Sequence, residues 1–235
     1  MKNLSATAIL LSVTLCAPAS ATIIGGTVTG GTALDAGGTF VELTTALSNP
    51  FGPSNSVGNN NFQSPNLYGF DEDQHIVLAA PLSVGGGITI SAGTTVASHY
   101  IFFDPGQKQH MIGTVDFDSD VLAIITGTAN LKASDSLANT GVNYLSPAAR
   151  GLEAGDSVTI SGSRQILFDT FANSPGDYVR VLTAVSPEVL TAASREAAAP
   201  EPGPLALAAA PEPGPLALLG FLLAGIGLAG RRKLN

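Results

Sequence analysis

Short runs of apolar and polar residues in alternation, separated by clusters of Gly, Pro, Asn and Asp, fill the middle of the chain, and each run predicts a β-strand. They cover residues 40–44, 75–84, 88–91, 94–104, 109–117, 121–126, 158–161, 165–171 and 178–185. Many short strands at this spacing predict an all-β body of the β-sandwich or jelly-roll kind, spanning residues 22–194. The turn Asp104-Pro105-Gly106-Gln107-Lys108 predicts a hairpin between its flanking strands. In that pairing Phe102 faces Met111, Ser98 faces Val115 and Val96 faces Phe117, while Ile101 with Ile112 and His99 with Thr114 share the other side. Apolar pairs on both faces predict a central hairpin, packed from two sides. Residues 48–66 differ: six Asn, four Ser, three Pro and two Gly among 19 positions carry no hydrophobic period. This predicts a long surface loop, where ligand contacts concentrate. Gly25-Gly26 and Gly85-Gly86-Gly87 read as bulges or turns, because neither opens a helix and no Lys-Ser/Thr follows to make a phosphate loop.

At the two ends the alternation gives way to continuous apolar runs. Lys2, a run over residues 6–15 and Ala19-Ser20-Ala21 have the order of a secretory leader, charge then apolar stretch then small-x-small, which predicts residues 1–21 as a signal peptide cut after Ala21. Pro18 would break a core helix at this point. The one cysteine, Cys16, lies inside the leader, so the mature chain is expected to hold no thiol, disulfide or thiolate metal site. Leu15 before it is the wrong residue for a lipoprotein signal, which wants a small side chain there. At the other end, residues 216–230 form a 15-residue run without a charged or polar side chain, followed by Arg231, Arg232 and Lys233. As a helix this run would reach about 22 Å, short of the roughly 30 Å hydrocarbon core, so it predicts a marginal transmembrane anchor with its basic end in the cytoplasm and the body outside.

Immediately before the run stand Pro211, Glu212, Pro213 and Gly214. Pro-Glu-Pro-Gly, a Leu/Gly/Ala helix and a terminal basic cluster in this order resemble the sorting signal of the PEP-CTERM family of exported proteins from exopolysaccharide-producing Gram-negative bacteria. The resemblance implies a partner, exosortase, a multi-pass membrane enzyme that cuts near the motif and releases or transfers the body. It concerns delivery and assigns no activity to the body. The motif is duplicated: residues 197–207 and 208–218 both read Ala-Ala-Ala-Pro-Glu-Pro-Gly-Pro-Leu-Ala-Leu. Only the second copy feeds the apolar run, so the first is expected to lengthen a Pro/Ala-rich stalk over residues 195–214, leaving 215–235 as helix and basic tail. Within the body, residues 98–105, 133–137 and 174–181 resemble segments of an uncharacterised subgroup of the same family, which implies a shared fold and no activity.

Composition sharpens what the body does. The whole chain's 27 Gly, 15 Pro and 12% charged residues favour strands and turns. The formal charge is −8, and four of the ten basic residues belong to the two terminal signals. So acidic a body, without a Lys/Arg cluster, is a poor match for nucleic acid. Asp116, Asp118 and Asp120 alternate as the first ligands of a calcium loop do, but Val121 and Gly127 stand where that loop needs Gly and Glu, so solvent-facing carboxylates around an inward Phe117 are expected. Asp71, Glu72 and Asp73 read as solvated turn charges. The three histidines, His75, His99 and His110, fit neither a catalytic triad nor a zinc spacing. The expected function is therefore an exported, non-enzymatic surface or extracellular-matrix protein, needing no cofactor. The alternative is an exopolysaccharide-binding module, which zero Trp and four Tyr disfavour because sugar platforms use such rings. A hydrolase would need two facing carboxylates, which the sequence alone does not place.

Overall fold

The computed structural model describes residues 20–44, 47 and 51–185. Residues 1–19, Ala19 of the expected leader among them, and everything after residue 185, which includes the expected stalk, Pro211, Glu212, Pro213, Gly214, the apolar run and Arg231, Arg232 and Lys233, lie outside the described residues. The body is all-β. Its strands in chain order are β1 (Ile23–Gly30), β2 (Phe40–Glu42), β3 (Ser56–Val57), β4 (Leu67–Asp71), β5 (Ile76–Val77), β6 (Leu82–Gly85) and β7 (Ile88–Ile90). They continue with β8 (Thr95–Phe103), β9 (Gln109–Phe117), β10 (Val121–Ile125), β11 (Asn143–Tyr144), β12 (Ser157–Gly162), β13 (Gln165–Ala172) and β14 (Asp177–Ala184). Two short helices interrupt them, α1 (Gly31–Asp35) and α2 (Thr128–Ala133). Among the described residues no helix is long and apolar enough to cross a membrane.

Two sheets carry the fold. The smaller runs β1-β9-β13-β12, antiparallel throughout; the larger runs β10-β14-β8-β4-β2, with β5 also paired to β8 and only β2–β4 parallel. Residue parity decides how each sheet packs. Along β9 and β13 every second side chain is buried, so the smaller sheet has one covered face. Along β8 and β14 nearly every residue is buried, so the centre of the larger sheet is covered on both. Ile101, Phe103, Val179 and Val181 from the larger sheet share one core with Met111, Val115, Phe117, Ile166 and Phe168 from the smaller. The opposite face of the larger sheet carries Tyr68, Phe70, Tyr100, Phe102 and Tyr178 into a second core, closed by Val57, Phe62, Leu131, Leu137 and Val142 from the connecting segments.

The expected hairpin does not form. β8 lies in the larger sheet between β14 and β4, and β9 lies in the smaller between β1 and β13, so the turn at residues 104–108 carries the chain from one layer to the other. Phe102 pairs with Tyr178 and Tyr68 rather than with Met111, and His99 pairs with Val181 and Asp71 rather than with Thr114. Of the two strands expected to form that hairpin, only β8 is buried on both faces. A strand apolar on both faces needs covered neighbours on both, and the half-exposed β9 cannot supply them.

Residues 51–66 depart from the expected surface loop as well. Ser56, Val57, Asn61 and Phe62 are buried, and the Phe62 ring lies 4.7 Å from that of Tyr68 and 4.8 Å from that of Phe102. Asn55, Asn59, Asn60 and Gln63 take positive φ, a conformation Asn tolerates better than most residues, which folds the segment tightly over the aromatic face. The two glycine readings hold: β1 is bulged between Ile23 and Gly25, and Gly85-Gly86-Gly87 turn the β6–β7 hairpin.

A buried polar network ties this cover to the sheet. Arg180, without solvent exposure, donates from Nε to Glu72 Oε2 at 2.6 Å and from Nη2 to Oε1 at 2.9 Å, and from Nη1 to Ser134 Oγ at 2.6 Å. The Ser98 hydroxyl donates to the same Glu72 Oε2 at 2.6 Å. Arg150 holds Asp135 through two nitrogens, at 2.9 and 2.8 Å. Glu72 is thus no solvated turn charge. Asp71 and Glu72 point to opposite faces, and each face is covered. Segments 98–105, 133–137 and 174–181 converge here, through Ser98 and Tyr100, Ser134 and Asp135, and Arg180. At one pole the two ends of the described chain meet: the Asp118 amide donates to the Thr22 carbonyl at 3.0 Å and the Ala184 amide to the Asp120 carbonyl at 2.8 Å.

Candidate functional site

The opposite pole holds a polar cleft of about 160 Å³ between the segment 148–153, which follows the α2 region, and the connection 172–177 from β13 to β14. Asp177 opens β14 in register with Phe103, so its side chain turns toward the space between the sheets, where it is 3% exposed. Its Oδ2 has no partner at hydrogen-bonding geometry, although the Thr170 hydroxyl faces it. Burial pushes this carboxyl up to about 7; the Thr170 hydroxyl acts against the rise, and the negative charges of Asp156 and Glu153 add to it. Glu153, Asn173 and Ser174 line the same cleft. Asp104, at the layer-crossing turn, is a second buried carboxyl, pushed up to about 6 by burial against the lowering effect of the Phe62 amide, which donates to Oδ2 at 3.0 Å.

Beside the cleft-lining Ala172, parity turns Phe171 to the outer face of the smaller sheet, where it is 51% exposed. The His110 ring stacks on it at 3.9 Å between centroids and 7° between planes. His110 Nε2 lies 2.7 Å from Asp169 Oδ1, and the Phe171 amide donates to Asp156 Oδ1 at 2.7 Å. The half-open ring, flanked by carboxylates, offers a flat surface for the C–H face of a polyhydroxylated ligand, and the cleft, which Phe171 does not line, offers hydroxyl, amide and carboxylate groups of the kind that meet hydroxyls. Compared with protein-family models, curated proteins and solved structures, the chain matches none.

Of the residues singled out from sequence, Ala21 is described and 1% exposed, and the sorting and basic residues lie outside the described part. Asp116, Asp118 and Asp120 do not converge: they engage Gln165 Nε2, the Thr22 amide and Arg164 Nε respectively, around an inward Phe117. Among the described residues no group of three or more His, Cys, Asp or Glu side chains is gathered as a metal site. His99 and His110 are separated into different layers. His99 is buried, with Nδ1 2.6 Å from Asp71 Oδ1 and Nε2 2.9 Å from Thr183 Oγ1. Sequence reading passed over Asp177, Glu153 and the Phe171–His110 stack. For Phe171 a signal existed: in β13 the inward positions are Ile166, Phe168, Thr170 and Ala172, which leaves a large ring facing outward.

Proposed function

We propose that this chain is an exported protein whose β-sandwich, jelly-roll-like body serves the cell surface or extracellular matrix without catalysis, after delivery by its C-terminal sorting signal and processing by exosortase. The observation that carries this reading is the order Pro211-Glu212-Pro213-Gly214, uncharged 15-residue run, Arg231-Arg232-Lys233. Two prolines hold the motif extended and poor in internal hydrogen bonds, fit to lie in an enzyme cleft at the membrane boundary, with Glu212 as the charge to be recognised. The precursor is then held in the inner membrane with its body in the periplasm. Intact mass of the secreted form tests it: the mature chain is expected to lack residues 1–21 and the final basic cluster. A mature molecule that keeps Arg231 and Arg232, or cells without exosortase that shed the same product, would overturn it.

The second reading, an exopolysaccharide-binding module, is favoured by one feature, the exposed Phe171 ring beside the Asp177 cleft. Pull-down of the secreted protein on the host's own polymer is expected to saturate, to be competed by free polymer, and to fall about tenfold for Phe171→Ala, a loss of one ring contact worth about 1.4 kcal/mol. Binding unchanged by Phe171→Ala and Asp177→Asn would remove the site from consideration.

A further inference from the structure

The residue expected to become the mature N-terminus sits in a carboxylate grip. The Thr22 nitrogen donates to Asp118 Oδ1 at 2.9 Å, the Thr22 hydroxyl lies 3.5 Å from Oδ2, and the Asp118 amide returns a bond to the Thr22 carbonyl at 3.0 Å. One residue on, the Ile23 amide donates to Asp71 Oδ1 at 3.2 Å. None of these contacts uses a leader residue. In the uncut chain the Thr22 nitrogen is a neutral peptide amide with a single hydrogen, so Asp118 meets a dipole there and takes a further bond from the Ser119 hydroxyl at 2.9 Å. Cleavage after Ala21 adds water across the Ala21–Thr22 bond. The hydroxyl goes to the Ala21 carbonyl, which leaves as a carboxylate, and the nitrogen takes protons to become an ammonium. The same atom, 2.9 Å from the same oxygen, then carries a full positive charge.

We propose that Asp118 is the docking site for the α-ammonium of Thr22, so that removal of the leader turns a neutral hydrogen bond into an ion pair that fastens the start of β1 to the end of β9. The inference rests on the leader reading with its cut after Ala21. The surroundings suit a cation. Asp116, Asp71, Glu42 and Asp120 also lie about this corner, while the Arg164 guanidinium nearby is engaged by Asp120 and the His99 ring by Asp71. Ala21 is almost fully covered in the folded chain, so the cut must precede folding, as it does for a chain that crosses a membrane unfolded.

The test uses the full gene with its native leader, secreted by the host, in wild-type form and with Gly-Ser inserted between Ala21 and Thr22. Two extra residues carry the amine up to about 7 Å from Asp118 and leave every other contact in place. Mass of the N-terminal peptide fixes where each mature chain starts. The insertion is expected to lower the melting temperature by about 2–4 °C near pH 6.5. An amine gaining an anionic partner has its pKa raised above the ordinary value of about 8. The advantage of the wild type is therefore fully present below that value and disappears as pH rises through the raised one. In the Asp118→Asn background the insertion is expected to cost nothing. An N-terminus other than Thr22 overturns the leader reading. With Thr22 confirmed, equal melting of the two forms, or a difference that persists at pH 10 or in Asp118→Asn, overturns the docking site; the pH arm decides the matter even if Asp118→Asn does not fold.

Discussion

Arg180 keeps its charge in a place without water because every face of the guanidinium is met: Glu72 on two nitrogens, Ser134 and the Leu131 carbonyl on the third, and the rings of Tyr100 and Tyr144 at 5.6 and 5.9 Å. Such a pair is costly to break and cheap to replace whole, since one lone buried charge is worse than none. Arg180→Leu is expected to lower the unfolding free energy by about 3–5 kcal/mol, and Arg180→Leu with Glu72→Leu to recover most of that; urea denaturation of the three proteins checks it. Asp104 and Asp177 give the body an acid-side preference. Their folded values, about 6 and about 7, stand above the ordinary carboxyl value near 3.8, so the folded state binds more protons between those limits. Their contribution is full below about pH 4 and declines as pH rises through 6 to 7. The denaturation midpoint is expected to rise on going from pH 8 to pH 5, and Asp177→Asn to flatten that slope. At this scale the sequence was only partly legible. Asp71-Glu72-Asp73 reads as one charged turn because neighbours in sequence are taken as neighbours in space. Alternation instead sends Asp71 to His99 and Glu72 to Arg180.

Between elements, the lesson comes from β8 and β9. Both runs were visible, with bounds within a residue or so of those observed, because nine residues of apolar and polar alternation leave little choice. Their partnership was not visible. A five-residue turn with Pro and Gly serves a hairpin within one sheet and an arch between two equally well, and only the contrast between a wholly buried β8 and a half-buried β9 separates the cases. β1 and β4 escaped detection because Gly25, Gly26 and Gly69 interrupt their apolar pattern. Gly69 leaves room for its neighbours: a Cβ there would lie 2.8 Å from the Ile101 Cδ1 and 3.0 Å from the Ile23 Cδ1, so both methyl ends would have to move aside. Segment 51–66 looked like a loop by composition and is one by backbone, yet Phe62 makes it a lid on the aromatic face. Phe62→Ala is expected to cost about 3–5 kcal/mol, measured by thermal or urea unfolding, whereas a true surface loop would lose almost nothing.

For the molecule as a whole, the terminal signals and the body obey different rules. The expected signals are strings of residue types in fixed order, proposed from sequence alone; the cleft is an arrangement of residues 128, 148–153 and 172–177, assembled only by folding. Arg150 and Arg180 are committed inside, in pairs with Asp135 and Glu72, while Asp35, Glu42, Asp73 and Glu153 stand exposed and outnumber the exposed Lys108 and Lys132. One expected consequence is that raising NaCl from 50 to 500 mM raises the melting temperature, since screening weakens the mutual repulsion of these exposed carboxylates and leaves the enclosed pairs almost untouched.

The chain enters and leaves the body side by side, at residues 22 and 184, both bonded to the short stretch 118–120. β14 then runs its eight residues, about 25 Å, from that pole to Asp177. A hold on the chain at residue 185 would therefore leave the groups around Asp177 at the far end of that strand, as distant from the grip as the length of β14 allows.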